Sequence, residues 1–234
     1  MKQSSSDAVL HELFVHPHNR TPLCLDEDVL LDGHEGTPCF RAVDGCFDFT
    51  TAYDPDQDRS FYSDKYASSA LHASELTLDG LRSLWEGEVA FERLLRSLGG
   101  VSGTRMLLLG NGTSLKELLF ISMGAHCVFT DISMEAMRYT RRAFLASSAL
   151  QSASGTAEFH AVDALHLPFA SETFDIIYGC AFVHHLAEVG PFLVGVKRCL
   201  KKGGTCRFLD DAYSAGWQTA KRTVLRPVQI MAHR

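Results

Sequence analysis

Gly110 and Gly112 break an apolar run, Met106 to Leu109, and a run of helical character, Leu115 to Ser122, follows at once. Glycines at such a strand-to-helix turn let a ligand approach the backbone, and the first-turn amides offer donors to a polar or anionic group. A tight turn with no ligand would use the same glycines. Ser114-x-x-Glu117 has capping-box spacing and predicts the start of the helix. Asp131 closes the next apolar stretch, "CVFTD", about 20 residues further on, where an acid can accept hydrogen bonds from both hydroxyls of a ribose. The plainer role for a single Asp there is an acid at a helix N-terminus. Asp163, in "VDALHLPF", lies just past a third apolar run, where its carboxylate or the turn itself could meet an adenine amino group; an ordinary loop Asp is the alternative. The three positions together argue for a nucleoside ligand more strongly than any one does.

Spacing excludes several other chemistries. A dinucleotide fingerprint, G-x-G-x-x-G, would need a third glycine where Leu115 stands. Neither a G-x-x-x-x-G-K-[ST] phosphate loop nor a G-x-S-x-G nucleophile elbow occurs. A pyrophosphate cradle, phosphoryl transfer and serine hydrolysis therefore drop out.

The elements that must position these residues follow from hydrophobic periodicity. Strands are expected at Met106 to Leu109, Cys127 to Thr130, Glu158 to Val162, Phe174 to Gly179 and Thr205 to Leu209. Helical patterns lie between them at Leu115 to Ser122, Met134 to Ser147 and Val189 to Leu200, the last closed by "KKGG". Strand and helix alternate, which predicts an α/β fold: a doubly wound, mostly parallel, Rossmann-like sheet with helices on both faces. Ligands bind such sheets at the carboxyl ends of the strands, near the switch point, which is where the glycine turn falls. Further helices are expected between Phe61 and Gly100, and short apolar pieces punctuated by Pro, Gly and Asp before Phe49 read as hairpin-like β structure.

The chain has 234 residues, 46% hydrophobic and 21% charged, which suits one globular core with a small appendage. Its apolar runs fall short of the roughly 18–20 residues of a membrane span, and the N-terminus lacks the apolar segment of a secretory signal. Seven cysteines without a C-x-x-C pair suggest reduced thiols and a cytoplasmic location. The net charge of −6 argues against a nucleic-acid partner. The basic clusters "MRYTRRAF" and "VKRCLKK" read as solvated helix faces.

The stretches "LLLGNGTS", "FTDIS", "VDALHLPFASETFDIIYGCAFVHHL" and "FLVGVKRCLKKGGTCRFLDD" resemble class I S-adenosylmethionine-dependent methyltransferases, especially the small-molecule branch, over Phe61 to Asp211. That resemblance implies a small-molecule methyl acceptor and S-adenosyl-L-methionine as cofactor. The backbone of Gly110, Asn111 and Gly112 would pack on the methionine part, Asp131 with Ile132 would hold the ribose, and Asp163 with Ala164 would face the adenine. Cys180 would lie near the cofactor and the reacting centre. Family members usually carry an acid two residues before the first glycine, where this chain has Leu108. Ser114 replaces their third glycine and could supply a hydroxyl in place of the missing ammonium anchor. His184 and His185 follow the fourth strand; either could take a proton from a hydroxyl or phenol acceptor, with His184 favoured, or simply pack.

Two regions stand outside this core. Residues 1–54 resemble a zinc-ribbon-type module of the tRNA-methyltransferase activator family that has lost its metal set. His16, His18, Cys24, His34 and Cys39 fit no tetrahedral spacing, so no metal is expected. Residues 55–234 form the expected cofactor-binding domain, in which Tyr62 and Tyr66 could lid the cofactor. After the fifth strand only a helical pattern interrupted at Pro227 follows, so the domain reads as lacking its last two strands. An uncovered fifth strand would favour self-association or a partner chain. Two other functions stay open: an inactive, shortened relative serving as a binding partner, and an RNA methyltransferase.

Overall fold

The computed structural model describes residues 13–53, 57–67, 76–85, 88–186 and 188–209. Its centre is a parallel sheet of five strands, β4 (Arg105–Leu109), β5 (His126–Asp131), β6 (Thr156–Ala161), β7 (Phe174–Cys180) and β8 (Leu200–Leu209), in the order β6-β5-β4-β7-β8. The chain builds outward from β4 through β5 to β6, then returns to β7 on the other side of β4. This reversal leaves a crevice at the carboxyl ends of β4 and β7. The preceding sheet, β1 (Leu23–Asp26), β2 (Val29–Asp32) and β3 (Pro38–Arg41), is antiparallel.

Apolar residues fill β4 on both faces because helices cover one side and the N-terminal sheet shares the other. Met106 and Leu108 join Phe91, Leu94, Phe120 and Phe129 in one cluster. Leu107 and Leu109, pointing the other way by the strand period of two, join Val128, Ile177 and Phe192 in the second. That second cluster also takes in Phe14, Leu23, Leu30, Phe40 and Phe49. Phe14 bridges Phe169 and Asp48 bridges Ala161, so the N-terminal sheet completes the core of the parallel one. Among the described residues no group of three His, Cys, Asp or Glu side chains could hold a metal ion. No described helix is long and apolar enough to cross a membrane.

The helices are α1 (Gln57–Ala67), α2 (Leu78–Ser83), α3 (Glu88–Leu98), α4 (Leu119–Ser122), α5 (Met134–Ala146), α6 (Ser148–Gln151) and α7 (Val189–Cys199). Ser133 starts α5 by accepting the Ala136 amide at 3.3 Å. The stretch expected as one helix from Leu115 instead forms a 3₁₀ turn, Lys116–Leu118, that leads into the single turn of α4. No side chain caps it: Ser114 donates its hydroxyl to the Glu117 carboxylate rather than accepting a backbone amide. The "KKGG" stretch also differs from expectation. Helix α7 ends at Cys199 and Lys201–Gly204 already run in β8, where a register shift and the positive φ of Gly203 absorb them. Lys201 pairs with Asp175 at 2.9 Å and draws this segment onto β7. The module boundary at residue 54 and the missing strands expected after Leu209 lie outside the described residues.

Candidate functional site

The turn after β4 is shaped by two aromatic side chains. Gly110 has φ +62 and Gly112 φ +54, the left-handed region that glycine adopts without steric cost. A Cβ on Gly110 would come within 2.4 Å of Phe182, and one on Gly112 within 2.9 Å of the Tyr66 hydroxyl. Asn111 closes the turn, its backbone amide donating to Thr130 O at 3.0 Å and its side-chain amide to Ser114 O at 2.9 Å.

Asp131 is the last residue of β5 and is 9% exposed. The Gly112 amide donates to its Oδ2 at 2.8 Å and the Ser133 amide to its Oδ1 at 3.0 Å. One carboxylate thus ties the glycine turn to the start of α5. Burial pushes its pKa up, while the amides of Ser133, Gly112 and Ile132 and the charge of Lys65 pull it down. An ionised carboxylate has about four acceptor positions, so both oxygens retain capacity for a ligand's hydroxyls.

Two cavities meet at Tyr66, Gly110 and Ala181. One, about 270 Å³, has Asp131, Ile132, Asp163, Ala164, Phe182 and His185 in its wall. The other, about 280 Å³, is lined by Gly110–Ser114 together with Lys116, Glu117, Tyr178 and Cys180. Tyr66 from α1 forms part of both walls, and burial, with Asp131 and Tyr62 adding to it, pushes its phenol up to about 12. Ala181, just past β7, holds a left-handed φ of +54 with its amide on Leu209 O at 2.7 Å.

Each residue singled out from the sequence has a definite place here. Asp163 directs its carboxylate to its own turn, accepting from the Leu165 amide at 2.9 Å and contacting His166 Nδ1 at 2.7 Å. Cys180 ends β7, with Lys116 Nζ at 3.9 Å from its sulfur. His185 reaches the cavity and shares a hydrogen bond of 3.0 Å between Nδ1 and the Tyr62 hydroxyl. His184 lies against it, ring centres 4.0 Å apart, and is absent from the walls of both cavities. Sequence reasoning passed over Phe182, Ala181, Lys116 and Tyr178, which read as ordinary loop, helix or strand residues. It took Glu117 only for a capping acid, since capping-box spacing does not distinguish an exposed acid from a buried one.

Residues 107–208 match the family described as "Methyltransferase domain". This stretch is similar to methyltransferase domains. Two curated relatives are the ubiquinone biosynthesis O-methyltransferases of Rhizobium rhizogenes and Rhizobium etli, 31% and 30% identical over 114 residues. Those matches cover 49% of this chain and 44% of each relative, so the chain spans under half the length of the curated relatives it matches. Among solved structures, phosphoethanolamine N-methyltransferase 1 of Haemonchus contortus, in complex with phosphoethanolamine and S-adenosylhomocysteine, has a TM-score of 0.50 at 14% identity. That likeness covers 67% of this chain and 32% of the other, and it is one of fold.

The groups in the cavity wall fit the adenosine part of S-adenosylmethionine, whose ribose hydroxyls need an acceptor. Asp131 is a buried carboxylate in the cavity wall, with backbone amides holding its position. In the second cavity Leu108, 1% exposed, lies in the wall and brings no carboxylate to it.

Proposed function

We propose that this chain transfers the methyl group of S-adenosylmethionine to an oxygen of a small molecule. The observation that carries the proposal is the meeting of the glycine turn, Asp131 and the Asp163 turn at one crevice on the carboxyl ends of the parallel strands. The names of the curated relatives, both O-methyltransferases, support an oxygen acceptor. When bound, S-adenosylmethionine supplies an electrophilic methyl group on a sulfonium, open to in-line displacement. The chain orients it: Asp131 accepts the ribose hydroxyls, Ile132 and Ala164 border the adenine, and Gly110–Gly112 lie along the methionine end with Cys180 opposite.

His185 is the proposed base, because it reaches the cavity and its ring is oriented. In the tautomer whose Nδ1–H donates to the Tyr62 hydroxyl, Nε2 is the ring nitrogen that would take the proton of the acceptor hydroxyl. His184 buttresses that ring. Tyr62 and Tyr66, both on α1, serve as a lid over the crevice.

We place the protein in the cytoplasm, on its seven cysteines without a C-x-x-C pair, and include a second copy or partner on β8, one of the two edge strands of the sheet among the described residues. Light scattering tests that association, and a monomer at all concentrations removes it.

Titration calorimetry with S-adenosylmethionine and S-adenosylhomocysteine tests the cofactor reading, with Asp131→Ala as control. Saturable binding abolished by the substitution is expected, followed by labelled-methyl transfer to phenolic acceptors. A folded sample that binds neither ligand overturns it. Leu108 favours a second reading, a relative that binds without turnover and serves as a partner. Binding without methyl transfer to any acceptor would select it.

A further inference from the structure

Glu117 is a charged side chain in an unexpected place. It is 3% exposed, yet it lines the methionine-end cavity beside Gly110–Ser114. Its Oε2 accepts the Ser114 hydroxyl at 2.5 Å. The nearest cation, Lys116 Nζ, stands 4.0 Å from Oε1 and is shared with the Cys180 sulfur at 3.9 Å and the Trp85 ring at 5.1 Å. A buried carboxylate held by one hydroxyl and its own backbone amide, with a distant cation, is costly unless something positive completes it. Burial accordingly pushes its pKa up, against the opposing pull of Ser114, Lys116 and its own backbone amide.

The 3₁₀ geometry of Lys116–Leu118 explains the placement. A capping box on a regular helix would return the Glu side chain to the backbone at the helix start. Here Ser114 engages the carboxylate itself, and Glu117 belongs to the cavity wall with Tyr178 of β7. Leu108, meanwhile, is committed to the core with Phe91 and Phe120 and brings no charge.

We propose that Glu117, oriented by Ser114, is the acid that receives the α-ammonium of the cofactor's methionine end, in place of the acid absent at Leu108. The inference rests on the cofactor reading above and specifies which residue anchors the amino-acid end of that same site. It also accounts for Ser114 where a glycine is usual: the hydroxyl holds the carboxylate toward the cavity.

The test is a binding cycle by calorimetry. Wild type and Glu117→Gln are each titrated with S-adenosylhomocysteine and with its analogue in which hydrogen replaces the α-amino group. In wild type, loss of the ammonium is expected to weaken binding about tenfold or more, the range of a charge-assisted hydrogen bond. In Glu117→Gln the two ligands are expected to bind within about twofold of each other, because the group that distinguishes them is gone. An equal ammonium preference in both proteins overturns the proposal while leaving the cofactor reading intact. Equal binding of the two ligands by wild type overturns it without any variant. Failure of wild type to bind either ligand overturns both readings. Should Glu117→Gln not fold, Ser114→Ala keeps the charge but frees the carboxylate, and an undiminished ammonium preference there overturns the proposal.

Discussion

The two halves of the crevice each contain a buried carboxylate, held in different ways. Asp131 ends a strand and accepts two backbone amides, from Gly112 and Ser133. Glu117 sits in a 3₁₀ turn and is held by the Ser114 hydroxyl and its own backbone amide. Backbone amides are fixed by the fold, so Asp131 is a structural tie as well as the proposed acceptor for ribose hydroxyls. A side-chain hydroxyl can rotate away, so Glu117 is held less rigidly than Asp131. One site can thus combine an acid whose removal disturbs the fold with one whose removal chiefly disturbs binding.

The largest expected effect breaks the first half. Asp131→Ala leaves two buried amides without acceptors, at about 1–3 kcal/mol each, so urea denaturation should show a loss of about 2–6 kcal/mol. Cofactor binding should fall beyond calorimetric detection. A variant with unchanged stability would mean that Asp131 does not tie the turn to α5.

Gly110→Ala tests the wall between the halves. Its new Cβ would lie 2.4 Å from Phe182 on a backbone at φ +62, and about 2–4 kcal/mol of destabilisation is expected. Most of that penalty should vanish in a Phe182→Ala background, where only backbone strain remains. An equal penalty in both backgrounds would show that Phe182 does not set the requirement for glycine.

A pH series on Glu117→Gln sharpens the contrast. Burial raises the folded-state pKa of Glu117 above its unfolded value. Its contribution to stability is therefore complete below the unfolded pKa and is lost as pH rises through the folded one. The variant, always neutral, should be more stable than wild type at neutral pH by about 1–2 kcal/mol, with the difference shrinking in acid. S-adenosylhomocysteine should raise the melting temperature of wild type more than that of the variant. A stability difference independent of pH would place the titrating charge elsewhere.

The smallest effect concerns the hinge between the halves. Ala181→Gly should add about 0.5–1 kcal/mol by relieving a left-handed alanine, measured by thermal unfolding, since glycine pays less there. A loss of stability would show that the alanine methyl packs productively.

Much of this architecture was legible in the chain. Apolar runs such as Met106 to Leu109 and Phe174 to Gly179 are long enough, and bounded sharply enough, to be strands buried on both faces. Asp131 could be recognised because its distance from the glycines follows from the length of one strand-helix-strand unit. The expected helix from Leu115 was less legible, since helical periodicity over one turn cannot tell a 3₁₀ segment from an α-helix. "KKGG" misled in the same way: basic residues and glycine end helices, but here a bulged strand pairing with β7 claims them. His185 rather than His184 reaching the cavity was also beyond local pattern, because adjacent residues carry the same composition signal.

The sequence by itself determined the alternation of strands and helices, hence the parallel sheet, the crevice and the acid, Asp131, at its rim. Each of these depends on local periodicity and chain connectivity. Only the tertiary structure decided that Glu117 is buried against Ser114, that Phe182 and Tyr66 press on the two glycines, and that the N-terminal sheet shares the core of the parallel one. Those depend on which side chains from distant segments meet, and their burial is set by packing that no local pattern encodes.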